Sequence, residues 1–231
     1  MDISLFAQYD DAEIIKVGNP RLRPQFTNLV ELGFKRNLTN GYFYSALYHR
    51  FANATITRIA STVPNSNLIY AIFQNVNRSS NTGVEMVFSK DVAKWYSSNI
   101  NLNAYYNQIG AFTVDNLYPV PNIFSADKQD VISGNIKWNN TVHLSQKIDV
   151  QLTAIYLAPD IIPQGKIKSR FSIDLGLKKS VQNGKGEFFL NASDLFNTLV
   201  IKKEIQGNNF RYSSNDYYET QVIRLGYNYK F

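Results

Sequence analysis

The chain contains no cysteine among its 231 residues, so it has neither a disulfide framework nor a cysteine-based zinc or redox site. Charged residues are scarce, at 18% of the chain, below the roughly 25% of an average soluble protein. Phe, Tyr and Trp make up 14%, a share that excludes a disordered chain. No apolar run approaches the ~18 residues that a membrane-spanning helix needs.

Signals for catalysis, cofactors and nucleic acid are also missing. The net charge is +6, but the lysines and arginines are scattered and form no basic arm, so we expect no nucleic-acid partner. The only two histidines, His49 and His143, lie far from other candidate ligands in the sequence, which predicts no metal site. No nucleophile elbow or phosphate-binding loop is present, so we expect neither an enzyme nor a bound cofactor.

What the sequence does contain is apolar and polar residues in alternation. In the segment 148–156, the residues Ile148, Val150 and Leu152 alternate with Asp149 and Gln151. The segments 98–107, 167–179 and 223–231 repeat the pattern. A period of two over this length predicts half-buried antiparallel strands.

The spacing of turns gives the strand count and an asymmetry. We predict about nine strands, over residues 26–36, 42–58, 68–90, 97–110, 130–142, 148–158, 167–179, 186–199 and 217–231. Short turns at 37–41, 91–96, 143–147 and 180–186 alternate with longer stretches near 60–67, 110–130, 158–166 and 199–216. Short turns at one end and long loops at the other are typical of outer-membrane barrels.

The fold predicted from these patterns is all-β: an antiparallel transmembrane β-barrel wall of about nine or ten strands. An 11-residue strand tilted by ~40° advances roughly 28 Å, enough to cross the ~25 Å apolar band. The polar positions, with Glu31, Glu85 and Asp174 among them, would then line the lumen. We expect one partial barrel domain over 1–231, with an entry segment at 1–25 and wall strands and loops at 26–231.

Three local motifs go beyond this periodicity. The segment 18–25 (GNPRLRPQ) resembles the "GNPxLxPE" element of TonB-dependent outer-membrane receptors, with Gln25 in place of the usual Glu. Residues 194–197 (DLFN) resemble the "D-L/I-F-N" element before the last strand of those receptors, and 227–231 (YNYKF) resemble the C-terminal assembly signal of outer-membrane barrels. Together, from about Ala12 to Phe231, they resemble the C-terminal part of the TonB-dependent receptor barrel.

This resemblance implies more than the residues alone. Receptors of this family have about 22 strands, so the chain would supply the C-terminal part of a larger barrel, with no plug domain in its sequence. The whole receptor would bind a scarce nutrient (a chelate, glycan or peptide) and import it, with TonB engaged only through the missing plug. The implied partners are outer-membrane lipid and the barrel-assembly machinery, which reads Tyr227, Tyr229 and Phe231.

Two groups of motif residues have a plain structural interpretation. Pro20 and Pro24 each fix their own φ and restrict the preceding residue, so they predict a stiff extended segment leading into the strand at Phe26. Asp194 and Asn197 are predicted to form a turn, because such side chains satisfy backbone donors where a strand bends.

The aromatic residues of the long loops are the predicted ligand contacts, since tyrosine combines an apolar ring with a hydroxyl group. These candidates are Tyr118, Phe124, Phe210, Tyr212, Tyr217 and Tyr218.

Two other interpretations of the sequence stay open. A soluble β-sandwich could bind carbohydrate through exposed tyrosines. A small self-closed, porin-like barrel would need a tenth strand, for which residues 1–14 are the candidate because Ile3, Leu5 and Ala7 alternate.

Overall fold

The computed structural model of the chain describes residues 8–9, 14–62, 65–66, 68–116, 120–145 and 147–231. The strands of the first half are β1 (Gln8–Tyr9), β2 (Ile14–Val17), β3 (Phe26–Leu38), β4 (Gly41–Asn53), β5 (Ile56–Thr62), β6 (Ile69–Asn75), β7 (Ser79–Ala93), β8 (Tyr96–Ile109), β9 (Phe112–Asn116) and β10 (Asn122–Ala126). Those of the second half are β11 (Gln129–Ser145), β12 (Ile148–Leu157), β13 (Asp160–Ile162), β14 (Gly165–Ile167), β15 (Arg170–Val181), β16 (Gly186–Ser193), β17 (Ile201–Gln206), β18 (Arg211–Asp216) and β19 (Val222–Tyr229). One short 3₁₀ turn lies at Gln182–Gly184.

Nine of these strands form one antiparallel sheet, which we call the wall sheet, in the order β19-β16-β15-β12-β11-β8-β7-β4-β3. Each strand pairs with its sequence neighbour in the sheet, as expected for successive hairpins. The predicted nine-strand, all-β antiparallel architecture is therefore confirmed. No helix long and apolar enough to cross a membrane occurs among the described residues.

The two faces of the wall sheet differ in chemistry along its whole width. On one face apolar side chains lie opposite one another, as at the pairs Leu47–Val84, Leu152–Leu175 and Leu190–Leu225. On the other face polar side chains do so, as at the pairs Glu31–Tyr48, Asn103–Asn135 and Asp149–Lys178. This two-sidedness follows from the period of two, because successive side chains of a strand point to opposite faces.

The apolar face is uncovered. Leu47 is 62% exposed and Ile132 is 82% exposed, although both lie within wall strands. A soluble sandwich would bury such a face against a second sheet, so the arrangement does not favour that alternative.

The wall sheet is open at both edges. Among the described residues, β3 and β19 pair with a strand on one side only, and the sheet does not close into a barrel. The tenth strand considered for residues 1–14 lies largely outside the described residues. Its Gln8–Tyr9 part pairs with β2, away from the wall sheet.

The long stretches between wall strands fold into hairpins instead of irregular loops, which corrects the sequence prediction. We call β5–β6, β9–β10, β13–β14 and β17–β18 the outer hairpins; all four follow the same end of the wall strands. β2 and β5–β6 form one small sheet with β1, and β13–β14 and β17–β18 form another. The short turns all lie at the opposite end, which confirms the predicted asymmetry.

Several predicted strands were too long, and each ends where the backbone turns. The predicted strand 42–58 divides near Ala54, which has a φ of 51°. The strand predicted at 68–90 divides at residues 76–78, and the one at 186–199 stops at Ser193, before Asp194 with a φ of 45°. The last strand begins at Val222 instead of residue 217. In each case the wall strand ends and an outer hairpin or its connection takes over.

The closed apolar core lies in the outer hairpins. Its buried side chains come mainly from β5, β8, β9 and β10: Ile59, Val76, Ile109, Phe112, Val114 and Phe124. Phe112 and Phe124 lie with their ring centroids 5.9 Å apart. The outer hairpins thus have a core of their own at the end of the wall.

Candidate functional site

The predicted ligand-contact aromatics lie around two cavities between the outer hairpins. Phe210 and Tyr212 are stacked, with ring centroids 6.0 Å apart. Together with Phe124, they line a cavity of about 550 Å³, which we call the asparagine cavity. Tyr212, Tyr217 and Tyr218 line a second cavity of about 480 Å³, which we call the tyrosine cavity.

Phe124 and Tyr118 differ from the other predicted residues. Phe124 is only 7% exposed, because most of its ring belongs to the hairpin core. Tyr118 lies outside the described residues. The candidates therefore divide between a packed anchor, Phe124, and the more accessible rings of Tyr217 and Tyr218.

Amide and hydroxyl groups supply most of the polar side chains that line the asparagine cavity. Asn122 donates its side-chain amide to the Ser61 hydroxyl at 2.7 Å, and Asn116 donates to Asn122 at 3.1 Å. Asn208 donates to the carbonyl of Ile123 at 2.8 Å. These bonds tie the β9–β10 hairpin to its neighbours, so much of the polar lining is already used by the protein.

The tyrosine cavity has a different electrostatic character. Three cations line it, Lys16 on β2, Arg58 on β5 and Lys203 on β17, against one carboxylate, Asp216 on β18. Lys203 donates to Asp216 at 2.6 Å, which neutralises that carboxylate. Cations therefore outnumber carboxylates among the described residues of the lining.

The Arg58 side chain packs against an aromatic ring. Its guanidinium lies 4.6 Å from the ring centroid of Phe73. It has no ion-pair or hydrogen-bond partner within the part of the chain that the structure describes. Because a guanidinium stacked on an aromatic face keeps its in-plane N–H donors available, Arg58 can bind an anion in the cavity.

The reverse face of the β13–β14–β17–β18 sheet places three cations around one acid. Glu204 accepts from Lys168 at 2.8 Å and lies 3.4 Å from Lys166 and 3.7 Å from Arg211. The hydrogen bond from Lys168, together with Lys166, holds the pKa of Glu204 below its ordinary value. Here all three cations lie within 3.7 Å of the one acid, whereas in the tyrosine cavity Arg58 has no acidic partner among the described residues.

A buried glutamine joins the two small sheets beside the tyrosine cavity. Gln164 is 5% exposed; it accepts from the backbone N–H of Ala60 at 2.6 Å and donates to the carbonyl of Ala60 at 3.0 Å. The same hairpin is tied to the wall through Asp160, which accepts from Tyr105 at 2.9 Å and Asn107 at 2.8 Å. The cavity walls are thus fixed by hydrogen bonds between elements distant in sequence.

The D-L-F-N motif forms a turn closed by a buried carboxylate, as predicted. Asp194 is 1% exposed and accepts from the backbone N–H groups of Thr198 at 2.9 Å and Leu199 at 3.0 Å, and from the Thr220 hydroxyl at 2.7 Å. Both Asp194 and Asn197 adopt positive φ values. Burial alone would raise the pKa of Asp194, but the hydrogen bonds outweigh it and keep that pKa below its ordinary value.

The G-N-P segment is a connector docked on β6. It contains a turn at Pro20–Arg21, closed by the N–H of Leu22 donating to the carbonyl of Asn19 at 3.3 Å, where the prolines predicted extended backbone. Asn19 donates to the carbonyl of Phe73 at 2.8 Å, and Asn75 exchanges two hydrogen bonds with the backbone of Arg23, at 2.8 and 2.9 Å. Gln25 accepts from the N–H of Ile56 at 2.8 Å. The side chain of Gln25 therefore links the segment before β3 to the start of β5.

The carboxylates predicted to face the lumen lie on the polar face of the wall sheet. Glu31 and Glu85 line a polar cavity of about 330 Å³ together with Arg50 and Tyr48. Glu31 accepts from Tyr44 at 2.9 Å. Asp174 accepts from the N–H of Asp194 at 2.8 Å.

The structure corrects the prediction that both histidines lie far from other possible ligands. His143 is not isolated: its Nδ1 lies 2.6 Å from Asp149, which in turn lies 3.2 Å from Lys178. The β11–β12 hairpin brings residues 143 and 149 opposite each other, a pairing that sequence spacing does not show. His49 lies 2.8 Å from the Thr82 hydroxyl. No group of three or more possible metal ligands occurs among the residues described.

The predicted assembly residues lie on the last strand or just beyond it. Tyr227 packs on Phe188 with ring centroids 4.7 Å apart, and Tyr229 meets Phe231 edge-on at 5.4 Å. All three residues are exposed, Phe231 fully.

Sequence reasoning missed the charged lining of the tyrosine cavity and its glutamine link. These residues are Lys16, Arg58, Gln164, Lys203 and Asp216. They come from four separate strands and one hairpin turn, and no local motif marks any of them.

Comparison with known proteins gives a family for the chain. No curated protein matches it. The sequence model of the outer membrane protein beta-barrel family matches residues 1–229, in agreement with a wall sheet whose apolar face is uncovered. The chain therefore belongs to the outer membrane protein beta-barrel family, whose place is the bacterial outer membrane.

Proposed function

We propose that the chain is the C-terminal wall segment of a TonB-dependent receptor that binds and imports a scarce nutrient. The nutrient class is a chelate, a glycan or a peptide. The segment supplies wall strands, part of the outer vestibule and the assembly signal, and it carries no catalytic role and no cofactor.

The observation that carries this proposal is the open wall sheet combined with the three motifs. An unpaired strand edge in hydrocarbon costs several kcal/mol for each exposed backbone group, so β3 and β19 need partner strands in the membrane. The resemblance to receptors of about 22 strands supplies that partner: the remainder of a larger barrel.

The polar face of the wall sheet also fits a receptor. It carries charged and amide groups such as Glu85, Arg50 and Asn103, which suit a lumen filled by a plug domain. Coupling to TonB would act through that plug and not through this chain.

The outer hairpins support a ligand-binding role over that of a simple pore. They hold two cavities of about 550 and 480 Å³, a size typical of small-molecule sites. The predicted contacts Phe124, Phe210, Tyr212, Tyr217 and Tyr218 surround them, and Tyr118 belongs to the same proposal.

The test is energy-dependent uptake in the source bacterium. Cells with and without the gene are compared for accumulation of labelled chelates, oligosaccharides and peptides, before and after TonB depletion. We expect loss of the gene to abolish uptake of one class, and TonB depletion to do the same. Uptake that survives TonB depletion and depends only on solute size would identify a passive pore instead.

The assembly role of Tyr227, Tyr229 and Phe231 is tested separately. Deleting Phe231 from the complete protein is expected to reduce insertion by the barrel-assembly machinery while leaving synthesis and export unchanged. Heat-modifiable gel mobility and surface protease access measure insertion, and unchanged surface levels would argue against the signal.

A further inference from the structure

We propose that the tyrosine cavity binds an anionic, ring-bearing small molecule of about disaccharide size, with Arg58 holding its acidic group and Tyr217 or Tyr218 its ring. This inference rests on the proposed receptor function and deepens it, because it names the chemical class of the ligand and the residues that select it.

The first support is the sign of the charge. Three cations and one carboxylate line the cavity, and the carboxylate is bonded to Lys203 at 2.6 Å. The β13–β14–β17–β18 sheet, which carries Lys203 and Asp216, keeps the cations of its other face around Glu204. Because Lys203 is paired with Asp216, the positive charge that remains for a ligand comes from the other small sheet, which carries Arg58.

The second support is the state of Arg58. The side chain is fixed by stacking on Phe73 at 4.6 Å, and no acid of the described chain pairs with it. A planar guanidinium presents paired N–H donors that match a carboxylate, sulfate or phosphate oxygen pair. Arg58 is thus positioned before any ligand arrives, which lowers the ordering cost of binding.

The third support is the aromatic surface that lines the same cavity. Tyr217 is 44% exposed and Tyr218 is 67% exposed, and both line the cavity. Large exposed rings can stack on the apolar face of a sugar or on a planar aromatic ring. A ligand that combines a ring with an acidic group would use both features at once.

The fourth support is the construction of the cavity walls. The double hydrogen bond from Gln164 to Ala60, at 2.6 and 3.0 Å, connects the sheet that carries Arg58 to the β13–β14 hairpin. That hairpin belongs to the same small sheet as β18, which Tyr217 and Tyr218 directly follow. A volume of about 480 Å³ accommodates a ligand of one or two rings.

Two sources share this ligand chemistry, acidic sugars and aromatic acids, and the experiment separates them. The complete protein is purified from outer membranes in detergent and titrated with four probes: digalacturonate, neutral galactobiose, 2-naphthoate and neutral 2-naphthamide. We expect one of the two acids to bind at least ~10-fold more tightly than its neutral counterpart. The binding of that acid should weaken as salt is raised.

Arg78 offers a matched control for Arg58. Its guanidinium lies 4.8 Å from the ring centroid of Phe51, so it has the same kind of stacking but lies outside the tyrosine cavity. Arg58→Gln is expected to remove the preference for the acid, Arg58→Lys to keep part of it, and Arg78→Gln to leave it intact. Tyr218→Ala should weaken the binding of the acid and of its neutral counterpart alike, whereas Tyr218→Phe should leave the binding of both unchanged.

Three results would each overturn the assignment. They are equal binding of acid and neutral probes, equal effects of Arg58→Gln and Arg78→Gln, and no binding of either acid. Heat-modifiable mobility shows that each variant is folded before it is titrated. The receptor proposal is judged by TonB-dependent uptake, so either proposal can fail while the other stands.

Discussion

The wall sheet and the outer hairpins are both built from β-strands, but they place their apolar side chains in opposite environments. In the wall, Leu152 and Leu175 lie opposite each other on an uncovered face, which suits lipid as the solvent. In the hairpins, Ile59 is fully buried at 0% exposure within a closed cluster, as expected for a segment that is surrounded by water. The comparison shows that alternation alone builds the wall, whereas the hairpins need side chains from several elements to meet in a core.

The largest expected effect concerns the hairpin core. Ile59→Ala removes a buried side chain and leaves a cavity, so the hairpins should lose about 2–5 kcal/mol of local stability. Native-state hydrogen exchange of the β5 and β6 amides measures this loss. Leu47→Ala, on the uncovered face of the wall, is the control and should cost less because no closed cavity forms. Equal costs at both positions would contradict a core restricted to the hairpins.

The next effect concerns the two faces of one wall strand. Leu152→Arg places a charge in the middle of β12 on the apolar face and should cost about 2–4 kcal/mol in lipid. Gln151→Arg, one residue earlier on the polar face, should cost much less. The free energy of unfolding in vesicles, measured by denaturant titration of the complete protein, compares them. A larger cost for Gln151→Arg would reverse our assignment of the faces.

A smaller effect is expected at the junction of wall and hairpin. Asp194→Asn removes a charged acceptor from the donors Thr198, Leu199 and Thr220 and should cost about 1–3 kcal/mol near neutral pH. Because the folded-state pKa of Asp194 is lowered, its contribution is fully present above the ordinary carboxyl pKa. That contribution is lost as the pH falls through the lowered value.

Unfolding titrations at a series of acidic pH values test this junction. The Asn variant should lack the part of the pH dependence that comes from Asp194, so its difference from the parent protein should shrink on acidification. Asp115→Asn, at an exposed position of β9, is the control. A difference that grows as the pH falls would have the wrong sign for our account.

The smallest effect concerns the link between the two small sheets. Gln164→Met keeps the length of the side chain but removes both hydrogen bonds to Ala60, at a cost of about 1 kcal/mol. The amide of Ala60 should then exchange faster with solvent, while the wall amides stay unchanged. Gln206→Met, at an exposed position of β17, should leave the Ala60 amide protected. Unchanged protection of that amide in Gln164→Met would show that the link is dispensable.

The sequence predicted the wall better than the hairpins for a physical reason. Each wall strand carries its own signal in the alternation of residues such as Ile148, Val150 and Leu152 with their polar neighbours. The hairpin strands are too short for this signal to be distinctive, since β9 and β10 have five residues each. Phe124 is an example: its sequence position predicts a loop aromatic, but side chains from other elements bury it. A local pattern cannot show which distant side chains will cover a residue.

The same reason explains which residues of the tyrosine cavity could be selected from the sequence as candidates. Tyr212, Tyr217 and Tyr218 could be selected because loop tyrosines are a recognisable class. Their cationic neighbours Arg58 and Lys203 could not, since only the pairing of separate hairpins brings them together. The same holds for His143 and Asp149, whose contact depends on the register of one hairpin.

The most direct test of the wall assignment is a cysteine scan of β12. The chain has no cysteine of its own, so each replacement from Ile148 to Leu157 gives one labelling site in this segment. Nitroxide labels on the complete protein in vesicles are then compared for their accessibility to oxygen in lipid and to a nickel chelate in water. Our account predicts a period of two, with positions 148, 150, 152, 154 and 156 accessible to oxygen and the positions between them to the chelate. Uniform accessibility to the nickel chelate along the strand would contradict it.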